Sequence, residues 1–329
     1  MSAATDKKMD PEYQFLQVYW LAFFITCSLL YFTMYILIFN FTTKDLRTMK
    51  YFLYPSNTAM MISIGMGFAT QAKKINNKES IALLCDGICK YAGPTFCYHC
   101  YNLWKSFGIV VCLINLHMLY YRAMSLKYMD TKKALLRTKL FSLHYLFPLL
   151  FQTQTFIPRQ NHAQVHKETM QRHPQDNYAP YLDFGGFSEA QKAYLDVSTV
   201  FLVLGSVYCP FAGLYCKYQA LSMLKPHLSP NTSSATRAML RTLIKGLNYQ
   251  ILLPLLSYIP NTSLVILNAV LEKQVPISQY TIVFGSMSCV LEPFVQIYFI
   301  TPYRRAIGRL CNCCFRRVLA PNNEPPNVD

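Results

Sequence analysis

Long apolar runs alternate with short polar segments along this chain, and seven of the runs are long enough to cross a bilayer. They are Val18–Phe41, Tyr51–Thr70, Thr95–Tyr121, Leu140–Ile157, Val197–Cys216, Gly246–Leu271 and Val275–Thr301. Each approaches or exceeds the ~20 residues that a helix rising ~1.5 Å per residue needs to cross ~30 Å of hydrocarbon. The second run carries Pro55, Ser56 and Asn57, and the fourth carries His144, Gln152 and Gln154, yet neither contains an Asp, Glu, Lys or Arg. The pattern predicts an all-α membrane protein: a bundle of seven transmembrane helices over residues 18–301, with an amino-terminal segment 1–17 and a tail 302–329.

Charge orients the bundle. The segments after runs one, three, five and seven hold 19 Lys and Arg against 4 acids, whereas the amino terminus and the other three loops hold 11 against 11. The net charge of +15 therefore lies on one side. Cytoplasmic loops carry the Lys/Arg excess, so the amino terminus is predicted outside and the carboxyl terminus inside. The basic face matches anionic inner-leaflet lipid and calls for no nucleic-acid partner. Residues Met1–Glu12 lack the features of a cleaved signal peptide, which leaves the first run as its own anchor. Neither an internal repeat of the transporter kind nor a low-complexity tract is present.

The twelve cysteines divide by location. Cys27, Cys112, Cys209, Cys216 and Cys289 lie in or at the ends of apolar runs, where they act as small hydrophobes. Cys311, Cys313 and Cys314, followed by Arg316 and Arg317, form a juxtamembrane cluster suited to palmitoylation on the inner face. Cys85, Cys89, Cys97 and Cys100 fall on the oxidising side near the outer start of the third run. They allow three complete disulfide pairings, and spacing does not choose among them. A zinc site is the other reading of that spacing, disfavoured at the mouth of a membrane span. The long outer segment Pro158–Asp196 has no cysteine and cannot be tied to the third run by a disulfide.

Ionisable side chains inside a membrane are costly, and two are present. Lys105 lies 17 residues before Arg122, about 25 Å above it at helical rise, in the outer half of the third run. It either snorkels to the outer headgroups or serves as a pocket cation, and Lys105, Trp104 and Tyr258 are the ligand-pocket candidates. Glu292 precedes Pro293 in the seventh run and reads either as a structural carboxyl bonded to a neighbouring helix or as a switch. By depth Glu292 lies about 9 Å from Lys105, so an ion pair between them requires both side chains to stretch. His117 and His144 read as interhelical hydrogen-bond partners. Pro254 and Pro260 are hinge candidates in the sixth run, next to a basic inner loop, and Glu292 with Pro293 is a second hinge candidate. Metalloprotease, nucleophile-elbow, Walker A and dinucleotide-binding motifs are all missing, so neither an enzyme nor a cofactor is expected.

Several motifs are shared with a known family. Gly93-Pro94-Thr95-Phe96-Cys97 opens the third run and Tyr120-Tyr121-Arg122 closes it; Gln250, Pro254 and Pro260 mark the sixth; Glu292-Pro293 and Tyr303-Arg304 mark the seventh. From about Phe15 to Ile307 the chain resembles the nematode serpentine chemoreceptors, specifically serpentine receptor class delta within the str-type superfamily. The resemblance implies a G protein-coupled receptor of chemosensory neurons, in the cell membrane and at sensory cilia, binding a small chemical cue in an outer cavity. It also implies a heterotrimeric G protein on the inner face, with Tyr121, Arg122, Tyr303 and Arg304 as coupling candidates. Two features depart from the family pattern: the length of Pro158–Asp196, and Lys105.

Three rivals stand beside that reading. A ligand-gated channel of the insect odorant-receptor kind requires the reverse topology, which the charges oppose. A transporter requires coupled carboxylates and repeats, against one glutamate here. An orphan member that no longer signals is the third. Asn40, Asn231 and Asn261 each begin a glycosylation sequon, and all lie inside or within the membrane in the predicted orientation. An amino-terminal tag is therefore expected to be stained on intact cells, with no glycan at these three sites; an internal tag with glycan at Asn231 would end the receptor reading.

Overall fold

The computed structural model describes residues 11–42, 47–77, 80–128, 131–146, 162–187, 207–223 and 280–319, with isolated positions at 148, 246, 249, 252–253 and 263. Helix α1 (Pro11–Asn40) opens with a proline at its first position, where a missing N–H costs no helical bond. Trp20, Phe23, Cys27, Tyr31, Met34 and Ile38 recur every three or four residues and are buried on one face. Leu21, Ile25, Leu29, Phe32, Ile36 and Phe39 are exposed on the other. A helix apolar on both faces, one against protein and one outward, is what a lipid solvent selects.

Helix α2 (Arg47–Thr70) runs back beside α3 (Pro94–Tyr128), and their contact is the core of the described bundle. Ser63 Oγ donates to the Trp104 carbonyl at 3.1 Å across this contact. Gly67 meets the Trp104 indole so closely that an added Cβ would lie 3.2 Å from its Nε1. Helix α3 has 35 residues, roughly 52 Å at 1.5 Å per residue, so it overshoots the hydrocarbon at its ends. Helices α1 and α3 are long and apolar enough to span a membrane, over Tyr13–Asn40 and Pro94–Ser125.

The bundle carries a three-stranded antiparallel sheet that the all-α expectation did not include. Gln71, in the left-handed region at φ 42°, ends α2 and turns the chain into β1 (Ala72–Asn76). Strand β2 (Ile81–Cys85) pairs with β1 and, on its other edge, with β3 (Gly185–Phe187), which comes from the long outer segment. The alternation of side chains gives the sheet two distinct faces. Ala72, Leu83, Cys85 and Phe187 face the outer end of α3, where Tyr98 and Tyr101 cover them. Ile75, Ala82 and Leu84 face the other way, onto Val165 of α5 (His162–Arg172) and onto Tyr181 and Phe184. Within the segment Pro158–Asp196, the described residues 162–187 are thus held over α3 by strand pairing instead of a disulfide.

A 3-10 turn, Ile88–Ala92, follows β2, and Gly93 at φ 93° breaks it so that α3 can begin at Pro94. The turn sets Cys89 against Cys97 with Cα atoms 5.1 Å apart, and these two form a disulfide. This corrects the four-cysteine pairing: Cys85 and Cys100 are buried free thiols, because Cys85 is held in the ladder opposite Ala72 and Cys100 lies further along α3. A loop of this length is stabilised by about 2.5 kcal/mol in the chain-entropy account.

At the opposite end, α4 (Thr131–Thr138) and a 3-10 turn (Lys139–Tyr145) pack on α3. The fourth apolar run thus begins as a 3-10 turn, and the rest of it lies outside the described residues except for single positions. Residues 207–223 form α6, which continues past the predicted end at Cys216. The sixth run lies outside the described residues except for the isolated positions 246, 249, 252–253 and 263, and its hinge candidates Pro254 and Pro260 are among those outside. Helix α7 (Tyr280–Phe299) contains Pro293, and after a bend at Ile300 the chain resumes as α8 (Thr301–Leu319). Tyr303 and Ala306 bury one side of α8, whereas Arg304, Arg305, Arg309 and Leu310 are exposed. Up to Leu319, what the sequence presented as a tail is therefore an amphipathic helix with Arg304, Arg305 and Arg309 on its exposed face.

His162 joins the sheet to the bundle. Its Nδ1 accepts from the Gly186 N–H at 3.3 Å, and its Nε2 lies 3.2 Å from Thr95 Oγ1. A Cβ on Gly185 would lie 2.0 Å from the imidazole, so the strand must be glycine there. Burial holds His162 below its usual value of 6.5, against the opposing pull of Asp183. The neutral ring is the bonded form, so its contribution is complete above about pH 6.5 and lost as pH falls below that value, when the unpacked state takes up a proton first. Exchange of the Gly186 amide, corrected for its intrinsic rate, should be faster at pH 5.5 than at 7.5. His162→Gln should remove that difference.

Candidate functional site

At the sheet-bearing end of the bundle α1, α2 and α3 meet under the sheet. Trp20 of α1 and Trp104 of α3 stand edge to face with ring centres 6.0 Å apart, and Tyr101 stands 5.9 Å from Trp104. Lys105 Nζ lies 4.4 Å from the Tyr101 ring centre. Lys74 Nζ, reaching from β1, lies 5.1 Å from the same ring. Lys105 therefore belongs to an aromatic cluster capped by a second lysine, and it is only partly exposed. Of the three sequence-derived pocket candidates, Lys105 and Trp104 are neighbours here, and Tyr258 lies outside the described residues. Lys74, Tyr101 and Trp20 were missed. Lys74 is two residues from Ala72 on a strand, and period-2 spacing is the signal that would have placed it on the inward face.

Beside this cluster, the Sγ atoms of Cys85, Cys89 and Cys97 lie within 4.8 Å of one another. Two of the three are in the disulfide and are not available as thiolate ligands. Burial pushes the Cys85 thiol up to about 12, so at neutral pH it is protonated and a poor nucleophile toward the adjacent bridge.

Polar contacts stitch the helices together at mid-bundle. Glu292 Oε1 of α7 accepts from Asn115 Nδ2 of α3 at 3.0 Å and from Gln296 Nε2 at 3.1 Å. The Glu292 side chain is almost fully buried. Asn115 is ten residues beyond Lys105, about 15 Å deeper at helical rise, so Glu292 is engaged far from Lys105. Tyr31 donates to the Cys289 carbonyl at 3.0 Å, and Tyr19 bonds Ser286, both joining α1 to α7. His117 Nδ1 bonds the Tyr145 hydroxyl at 3.2 Å, and His144 stands edge to face with His117.

At the end of the bundle opposite the sheet Tyr121 is buried against Phe52, with ring centres 5.3 Å apart. Arg122 is half-buried and directs Nη2 to Met49 Sδ at 3.7 Å, which sets it against the start of α2. Tyr303 is fully buried and its hydroxyl pairs with Thr42 Oγ1 at 2.9 Å. Arg304 is exposed, with its guanidinium 5.7 Å from the Tyr298 ring. The four coupling candidates thus gather at one end of the bundle but differ in access: Tyr121 and Tyr303 fasten helices, and Arg304 is open. Cys311, Cys313 and Cys314 lie within α8.

Residues 16–309 match the family described as serpentine type 7TM GPCR chemoreceptor Srd. The chain belongs to that family. It is 56% identical over 277 residues to serpentine receptor class delta-63 of Caenorhabditis elegans, covering 84% of this chain and 85% of that protein. Serpentine receptors class delta-59 and class delta-51 of the same organism are 27% and 28% identical, over 82% and 84% of this chain and 83% and 80% of their own lengths. The receptor is accordingly a helical, multi-pass membrane protein of a chemosensory receptor family.

The Asn115–Glu292 contact generates a stability test for this receptor. Glu292→Gln keeps an acceptor for Asn115 and is expected to melt near the parent in detergent. Glu292→Leu leaves the amide without its partner and should lose about 1–2 kcal/mol. Equal melting of the two variants would show that the contact is not stabilising.

Proposed function

We propose that this protein is a seven-span G protein-coupled receptor with its amino terminus outside, which binds a small chemical cue beneath the outer sheet and signals through its inner end. The observation that carries this reading is the reach of α3. One continuous helix runs from the bridged, sheet-covered outer end at Cys97 and Tyr101, past Asn115 bonded to Glu292, to Tyr121 and Arg122. A ligand that changes the packing of its outer end acts on the same rigid element as the inner partner. Binding then biases the bundle only by the ligand's difference in affinity between two helix arrangements.

Inside, a heterotrimeric G protein would meet Arg122 and the exposed Arg304, Arg305 and Arg309 of α8. Movement of α3 against α2 would loosen Arg122 from Met49 and expose it to that partner. Palmitoylation at Cys311, Cys313 and Cys314 would hold α8 at the inner leaflet, where its exposed arginines suit anionic lipid. Pro254 and Pro260 remain hinge candidates in the sixth span, with Pro293 in the seventh. The site of action is the membrane of chemosensory neurons, including their cilia. The nearest alternative is an orphan member that no longer signals.

Arg122→Ala is expected to leave surface expression and ligand binding near parental levels while abolishing agonist-stimulated nucleotide exchange on the G protein. A second-messenger assay in heterologous cells, with surface staining in parallel, checks this. Equal signalling by the variant would return Arg122 to a simple packing role against α2.

A further inference from the structure

The outer cluster contains a charge imbalance with chemical consequences. Lys74 and Lys105 come from different parts of the chain, one on β1 and one on α3, and both place their ammoniums within 5.1 Å of the Tyr101 ring centre. Strand periodicity puts Lys74 on the sheet face that otherwise presents Ala72, Leu83 and Cys85 to the bundle. Among the described residues neither lysine forms an ion pair. The acids of the outer surface that do are engaged elsewhere: Asp86 holds Lys90 at 2.9 Å and accepts from Gln17 at 3.0 Å, and Glu168 pairs with Arg172 at 3.1 Å and accepts from Ser80. The face of Tyr101 attracts each cation, but two cations on one ring repel each other.

We infer that Lys74 and Lys105 form a binding site for an anionic oxygen group, a carboxylate or a phosphate, at the outer ends of α2 and α3. The inference rests on the receptor reading above and specifies the chemistry of its cue. An anion between the two ammoniums gains charge-assisted hydrogen bonds and removes their repulsion. An apolar tail attached to that anion would contact Trp20 and Trp104. Because one lysine is on the sheet and the other on α3, the bound anion also ties the sheet down onto the helix.

The chain has two tryptophans, Trp20 and Trp104, and both are in this cluster, so intrinsic emission reports on it directly. Purified full-length receptor in phosphatidylcholine nanodiscs should show a saturable emission change with butyrate that butyramide, its neutral isostere, does not produce. Lys105→Met and Lys74→Gln should each weaken butyrate by about tenfold, and Lys74→Arg should restore it. A melting curve and the ligand-free emission spectrum check that each variant is folded. Nanodiscs containing phosphatidylglycerol separate the two sources of anion. If that lipid changes the emission through both lysines and soluble butyrate does nothing, the anion is a headgroup phosphate.

Equal responses to butyrate and butyramide, or binding unchanged in both lysine variants, would overturn the site. So would the absence of any response in both lipid compositions. A neutral cue that drives G protein activation equally well in the Lys105→Met variant would remove the site while leaving the receptor reading intact. Anion binding through both lysines in a protein that activates no G protein would leave the site standing and remove the signalling reading.

Discussion

Strand β2 is the interaction on which the outer half of the protein depends. It is five residues long, yet it is paired on both edges and covered on both faces. One edge takes β1, which continues from α2 through Gln71; the other takes β3, which arrives from more than a hundred residues later. One face rests on the first turns of α3 and the other on α5. A two-stranded ribbon has little stability in water, and the third strand together with two packed faces is what makes so short a sheet persist. Remove β2, and β3 loses its partner strand and Lys74 loses its orientation, while the Cys89 turn keeps its disulfide to α3.

The bundle below obeys a different constraint. Apolar side chains gain little by leaving lipid for one another, so helix association there draws on close packing and interhelical hydrogen bonds. The described contacts follow that logic. Gly67 lets α2 approach the Trp104 indole, and Asn115, Glu292, Tyr31 and Tyr19 supply specific polar links among α1, α3 and α7. These links fix rotation and depth as well as proximity, because each requires one donor to face one acceptor.

The legibility of the sequence follows from the same division. Hydrocarbon imposes length and apolarity on every segment that crosses it, so α1 and α3 could be read from their runs alone, and Lys105 and Glu292 stood out as charges. The sheet could not be read this way. Its segments AKKIN, IALLC and GGF are short, the third lies in a different loop from the first two, and they reveal alternation only once their partners are known. Lys74 therefore resembled any loop lysine. Glu292 was recognised, but its partner Asn115 was not, because a neutral amide in an apolar helix carries no charge signal. Cysteine spacing left the bridge undecided, since the choice depends on a 3-10 turn that brings only Cys89 into range of Cys97. Helix α8 passed as a tail because Tyr303 and Ala306 mark a buried face only when the bundle they meet is in place.

The long separation between β2 and β3 also fixes an order of assembly. The β1–β2 hairpin and the Cys89–Cys97 bridge connect residues close in the chain and need nothing beyond the start of α3. Pairing of Ile81 with Phe187 must wait until the intervening hundred or so residues have been made and β3 has been brought back to β2. The sheet-bearing end is therefore completed after its foundations, by a segment that brings its own small core of Val165, Tyr181 and Phe184. Sequence change in that segment can reshape the cover over the Lys74–Tyr101–Lys105 cluster while the bridged base beside it stays as it was, which separates variation at this end from what keeps it folded.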